Sequence, residues 1–263
     1  MADEPVKPFL RPGKLILLIL LGLLVYAGAV VATVPAGWVW YWAEKQLALP
    51  EVVRVEGVTG QLWDGGAQLR LMNRSVQVFW HLESLGTGPG WATLGWRLKS
   101  RSSQLQGDFT VLGENSAQLQ MTGNVHVPEF HGQIRRSGGA MINGDVTIQN
   151  LRLKMAQNRV VAANGLATWP GGPVRWPVGQ RMQSAEIPAM EMRLSDQGGT
   201  PMLTLNEAGK QASVADAMIL SNGNARIRVY RRMVDLVDQP WSGNQGPGAV
   251  IFQVTQPLLM GAG

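Results

Sequence analysis

The chain contains no cysteine. Disulfides, thiolate metal ligands, a cysteine nucleophile and lipoprotein attachment are excluded together. Such a chain also suits an oxidising compartment, where a stray thiol is a hazard. Histidine is nearly absent, occurring at His81, His126 and His131 alone. Charge is sparse as well. Charged residues make up 16% of the chain, below the usual quarter. Lys and Arg number 23 against 18 Asp and Glu, a formal charge of +5. The adjacent basic pairs are Arg135–Arg136 and Arg231–Arg232. A nucleic-acid binder clusters its basic residues on one face. No such cluster is present, so nucleic acid is not an expected partner.

The 263 residues suffice for one large domain or two small ones. Leu15 to Val34 is the most prominent segment, an uncharged apolar run. At 1.5 Å per residue it matches the ~30 Å hydrocarbon core of a bilayer. Lys7, Arg11 and Lys14 precede it and place the N-terminus in the cytoplasm by the positive-inside rule. Trp38, Trp40, Tyr41 and Trp42 follow it, as an aromatic belt follows a span at the headgroup level. A cleaved signal peptide has a shorter apolar core. The sequence therefore predicts a cytoplasmic leader over 1–14, a transmembrane helix with its exit belt over 15–43, and a β-rich domain over 44–263. The expected location is the inner membrane, single-pass, with the bulk of the chain periplasmic.

Beyond Pro50 the hydrophobic period becomes two. Val76, Val78, Trp80 and Leu82 alternate with Gln77, Phe79 and His81. Ala117, Leu119, Met121, Gly123, Val125 and Val127 alternate with polar residues over the longest run. Similar runs hold Leu105 to Val111, Met190 to Leu194 and Ala225 to Val229, with a late strand at Val250–Val254. This is the pattern of antiparallel strands with one apolar and one polar face. The alternation slips between Ile148 and Leu151, which predicts a bulge at Gln149-Asn150. Thr93–Leu98 and Ala212–Leu220 fit strand and helix equally well. Gly60-Gln-Leu62-Trp63-Asp-Gly65-Gly66 is echoed by Gly165-Leu-Ala-Thr-Trp169-Pro-Gly171-Gly172. Each places a Trp before a glycine turn, where the ring can cover the turn and glycine supplies positive φ. Two related sheet units dividing near 138–144 would account for the echo. The predicted fold is thus mainly β, an elongated curved antiparallel sheet after the helix.

No catalytic, cofactor-binding or metal-ligating residues emerge. His126-Val-Pro-Glu129-Phe-His131 has Pro128 between its histidines, so it cannot set both on one helix face as a zincin requires. Gly86-Thr-Gly88-Pro-Gly90 lacks the Lys-Ser/Thr of a phosphate-binding loop. The aspartates, among them Asp64, Asp108, Asp145, Asp216, Asp235 and Asp238, look isolated or lie beside turns. Met182, Met190, Met192 and Met202 follow strand alternation and read as core filling. The chain reads as a non-enzyme without cofactors.

The order of an N-terminal apolar segment, Val58-Thr-Gly60-Gln-Leu62-Trp63-Asp-Gly65, Val78-Phe-Trp80-His-Leu82, Leu94-Gly-Trp96-Arg-Leu98, the Trp169 turn and Arg228-Val-Tyr-Arg-Arg-Met-Val-Asp-Leu resembles type II secretion system protein N. That resemblance implies a bitopic inner-membrane protein with a periplasmic β domain. It implies an accessory role in exporting folded proteins, through contacts with other components of that secretion system, the bilayer and, as a homo-oligomer, a second copy of itself. It supplies no catalytic residues. A fold-level similarity to AsmA-type proteins implies the alternative, periplasmic lipid binding or lipid transfer. A lipid groove needs apolar residues on both sides of several strands, or an apolar face without a cover. The polar second face of the 117–127 run points instead to an assembly component working through strand edges.

Overall fold

The computed structural model describes residues 12–46, 53–71, 74–86, 90–136, 140–157, 159–178, 181–220 and 224–257. Two helices come first, α1 (Pro12–Ala32) and α2 (Ala36–Ala43). Six strands follow: β1 (Val53–Gly60), β2 (Asp64–Leu71), β3 (Arg74–Leu85), β4 (Ala92–Lys99), β5 (Gln104–Gly113) and β6 (Ser116–His126). A 3-10 turn (Val127–Phe130), α3 (His131–Arg136) and the short β7 (Met141–Ile142) lead to β8 (Asp145–Ala156) and β9 (Arg159–Trp169). Next come β10 (Gly172–Val178), β11 (Arg181–Ile187), β12 (Met190–Gln197), β13 (Thr200–Glu207), β14 (Ser213–Ile219) and β15 (Asn224–Tyr230). The last elements are α4 (Arg232–Leu236) and β16 (Val250–Pro257).

Thirteen strands form one open antiparallel sheet in the order β1-β2-β3-β4-β5-β6-β8-β9-β12-β13-β14-β15-β16. At ~4.8 Å between neighbours it is about 58 Å wide. β6 pairs directly with β8, so the main sheet runs unbroken past residues 138–144. The slip in alternation near Gln149 is a register shift between Ile148 and Asn150, facing a shift between Met121 and Gly123 on β6. Both ambiguous stretches are strands, β4 and β14, because their apolar residues meet apolar partners across the sheet: Leu98 faces Val78, and Ala217 faces Leu203.

Most connections are tight hairpins; three are not. The segments after β6, β9 and β15 all leave from the same end of the strands, beyond the pairs His126–Asp145, Trp169–Met190 and Tyr230–Val250. They carry α3 with β7, the β10–β11 hairpin, and α4. β11, β10 and β7 join as a small second sheet. Its apolar residues meet the main sheet in the hydrophobic core, made of Trp169, Val174, Ile187, Met190 and Val214. Met233, Leu236 and Val237 pack against that core from α4 and the turn after it. These three excursions form a cap over one end of the main sheet.

The first two helices correct the expected membrane placement. α1 forms, and its apolar side chains from Ile16 to Val31 stand exposed. Among the described residues no helix is long and apolar enough to cross a membrane. The expected single-pass transmembrane helix, with its inner-membrane and periplasmic assignment, is therefore not supported. Lys14 is one of the residues whose side chain lies outside the described set. The aromatic cluster folds onto itself: Tyr41 and Trp42 meet edge to face at 6.3 Å, and the Lys45 ammonium sits 4.3 Å from the Tyr41 ring centre. Trp38 and Trp42 are exposed and Trp40 is half-buried.

The Gly60–Gly65 turn docks onto the junction of α1 and α2. Trp63 Nε1 donates to the Val31 carbonyl at 2.9 Å, the Leu62 N–H donates to Val34, and Pro35 bridges to Gln61. Trp80 Nε1 reaches back to the Leu62 carbonyl at 3.0 Å. Trp63 is half-buried and serves as a tie to the helix, not as a plate over its glycines. Gly60 has φ 82°, whereas Gly65 lies outside the left-handed region. Gly65 is required for closeness instead. A Cβ there would sit 2.8 Å from the carbonyl oxygens of Thr59 and Gln61 and from the Trp80 ring. Replacing Gly65 by Val should destabilise the protein by about 1–3 kcal/mol through this overpacking. At ~2–4 °C per kcal/mol, melting should fall by several degrees. An unchanged melting temperature would mean that the turn yields freely.

Candidate functional site

Residues directly opposite one another across antiparallel strands share a face. Following the register gives one continuous apolar surface. Leu69 faces Val76, Val78 faces Leu98, Trp80 faces Trp96, and Leu82 faces Leu94. The same side continues through Leu105, Phe109–Leu119–Leu153, Met121–Leu151 and Val125–Val146. It then takes in Ala167–Met192, Leu194–Leu203, Met192–Leu205, Ala217–Ile227 and Val229–Phe252. The reverse side carries Gln68–Gln77, Arg97–Gln106, Asp108–Gln120, Arg152–Asn164 and Asp216–Arg228.

Among the described residues no second layer covers most of this apolar face. The buried hydrophobic residues are Ala36, Val76, Ala163, Trp169, Val174, Ile187, Met190 and Val214, and no side chain among the described residues is completely buried. A two-layer fold would bury far more of so long an apolar side. Here Phe109, Met155, Leu203, Ile219 and Phe252 remain exposed on it. Exposed apolar surface on this scale marks a site of interaction.

At the capped end the face passes into a cavity of about 340 Å³. Val174, Trp176 and Ile187 of the small sheet form its roof. Met233, Val234 and Val237 close one side, and Val229 and Ile251 of β15 and β16 form the floor. Gln183 and Gln239 are its polar residues, and among the described residues no charged side chain lines it. The volume falls within the range of small-molecule sites, ~300–1,000 Å³. An uncharged apolar lining attracts hydrocarbon and penalises an ionised group.

Two buried carboxylates hold the frame. Glu129 accepts hydrogen bonds from Ser100 Oγ at 2.5 Å, Ser103 Oγ at 2.7 Å and the Ser102 N–H at 2.7 Å, locking the β4–β5 turn to the cap. Burial pushes its pKa up, but these donors outweigh burial and hold it below the ordinary value. Asp216, in mid-strand on the polar side, accepts Arg228 Nε at 2.9 Å, Arg228 Nη2 at 2.8 Å and the Tyr230 hydroxyl at 2.5 Å. It too lies below its ordinary range, the hydrogen bonds again outweighing burial. Neither cluster is apparent from spacing along the chain. The signal for Asp216 is its register opposite Arg228.

The Trp169 indole is buried and donates to the Asn143 carbonyl at 2.7 Å. Gly171 and Gly172 follow it with φ of 93° and 134°. At Gly171 a Cβ would lie 2.7 Å from the Ile187 carbonyl, so that glycine lets the roof strands approach. The histidines are separate. His126 Nδ1 pairs with Asp145 at 2.6 Å, His131 Nε2 meets the Ile142 carbonyl at 2.6 Å, and His81 lies beside Glu83. Among the described residues no group of three or more His, Asp or Glu is placed to hold a metal.

No protein-family model, no curated protein and no solved structure matches the chain. The resemblance to type II secretion system protein N is therefore not upheld. With no membrane-spanning helix among the described residues, the expected role of an inner-membrane-anchored secretion component falls with it.

Proposed function

We propose that this protein binds lipid, holding hydrocarbon on the uncovered face of its main sheet with a chain end inserted beneath the cap. The observation that carries this reading is the missing second layer over a face apolar along its whole width. The polar reverse side, which in sequence pointed toward protein assembly, is compatible with this reading. A trough needs one apolar side without a cover, and its other side can be solvated. The uncharged cavity under Trp176 and Met233 supplies a closed end for the chain.

The test is saturable binding of a fluorescent alkyl probe by the full chain. Met233→Asp sets a carboxylate in the cavity wall from a half-buried helix position. It should weaken binding at least tenfold, about 1.4 kcal/mol; because Met233 also packs against the core, melting should fall as well, and binding is compared at a temperature where both proteins are folded. No saturable binding by the wild type, or equal binding by a normally folded Met233→Asp protein, would overturn the proposal.

A further inference from the structure

The outer strands are β1 and β16 in the main sheet and β7 and β11 in the small one. An outer strand presents unpaired N–H and C=O groups, and proteins guard it with charge, shortness, bulges or a covering element. β1, β7 and β11 are guarded in these ways. β1 carries Arg54 and Glu56, breaks register between Val55 and Gly57, and has α2 lying against it. β7 has only two residues, and β11 carries Arg181 and Glu186. β16 is the exception. Its eight residues, Val-Ile-Phe-Gln-Val-Thr-Gln-Pro, hold no charge. Val250 and Phe252 are exposed at 44% and 55%. Among the described residues no strand pairs with its outer side.

The register shift between Val229 and Tyr230 leaves Ile251 as an extra, bulged residue of β16. That bulge and Pro257, which has no N–H to give, bracket a regular stretch from Phe252 to Gln256, centred on Val254. We propose that a second copy of this chain adds its own β16 antiparallel to this edge, about a twofold axis at Val254. Val254 then meets its own counterpart, Phe252 meets Gln256 of the second copy, and Gln253 meets Thr255 of the second copy. An aromatic ring at Phe252 also reaches the diagonal Val254. A twofold edge has to be complementary to itself, and here no like charges meet. Pro257 falls opposite the bulge of the second copy, where the ladder is already interrupted. Opposite residues share a face, so the two apolar sides join into one surface, and the two caps stand at opposite ends of it. A contact of one strand edge is small, which makes the dimer a weak one. The pairing concerns the edge alone and holds whether or not the face carries lipid.

Because the chain has no cysteine, single cysteines report the register. Gln253 and Thr255 are exposed on the polar side, facing Arg228 and Arg226 of β15. Directly paired Cα atoms lie ~4.5–5.5 Å apart, within disulfide reach. Like positions would be diagonal neighbours at ~7–8 Å, past that reach. An equimolar mixture of full-length Gln253→Cys and Thr255→Cys under a mild oxidant should therefore form a covalent heterodimer at least tenfold faster than either variant links to itself. In sedimentation the wild type should pass from monomer to dimer as its concentration rises. Phe252→Lys, at an exposed position, should raise the dissociation constant at least tenfold with its circular dichroism unchanged. A wild type that stays monomeric at every concentration overturns the proposal, as does a dimer indifferent to Phe252→Lys. Cysteines that link as fast alone as together overturn it too. Two copies stacked through their apolar faces would hold Gln253 and Thr255 on the outer sides, unlinked, and that result equally overturns it.

Discussion

Trp169→Ala should lower the melting temperature by about 6–20 °C. Truncating a buried Trp costs ~3–5 kcal/mol, and each kcal/mol is worth ~2–4 °C in a chain of this size. Trp169 touches everything that makes the cap. It packs with Val174 and Ile187 of the small sheet and with Met190 and Val214 of the main sheet, and its N–H satisfies the Asn143 carbonyl. Its loss opens a void in a core of few buried residues and leaves that carbonyl without its donor. Among the described residues there is no second cluster of comparable burial to absorb the change. Trp169→Phe keeps most of the area but not the hydrogen bond, and should lose roughly a third as much, the hydrogen-bond share being ~1 kcal/mol. Thermal melting of both variants, with the alkyl probe titrated into each, is the measurement. Melting unchanged in Trp169→Ala would show that the cap is not held by this residue.

The strands were largely legible in the sequence, and the reason is the period of two. At Ala117–Val127 the alternation sorted residues onto two sides, and the structure pairs those same sides with Phe109 and Leu153. The bulge at Ile148 to Asn150 was legible for the same reason, since a slip of one residue would otherwise turn every later side chain over. Alternation tells which side of a strand is apolar. It is silent on what lies against that side, and so the uncovered face could not be read. The cap is equally hidden, because it is assembled from three excursions far apart in the chain. Trp63 and Trp169 show the limit of a local motif. Each precedes a glycine turn, yet one indole reaches back 32 residues to Val31 and the other 26 residues to Asn143. The apolar run from Leu15 was legible as a helix, but among the described residues no helix is long and apolar enough to cross a membrane. Asp216 looked isolated because its partners, Arg228 and Tyr230, lie on the next strand.

That aspartate carries the other large effect. Asp216→Ala should cost about 3–5 kcal/mol at pH 7, the usual penalty for breaking one side of a buried ion pair. Its side chain is 4% exposed, while Arg228 is 27% exposed and depends on both carboxylate oxygens. Removal leaves Arg228 and the Tyr230 hydroxyl without their acceptor. Arg226 stands nearby with its Nε buried and unpaired, so the vacated site becomes doubly cationic. The sign of the pH dependence follows from the depressed pKa. A carboxylate held below its ordinary 3.8 contributes stability in full above that value and loses it as pH falls through the lower, folded pKa. Wild-type stability should therefore decline below about pH 4, and Asp216→Ala should decline less steeply over that window. The lock also bears on binding, because Val229 lies between Arg228 and Tyr230 in sequence and forms the cavity floor on the opposite face. Loosening β15 on its polar side should weaken alkyl-probe binding severalfold without touching the cavity lining. Asp216→Leu/Arg228→Met, which replaces the pair by apolar groups of similar volume, should regain most of the stability at pH 7 and with it the binding. Restored melting without restored binding would separate the lock from the cavity, and an unshifted melt in Asp216→Ala would remove the lock altogether.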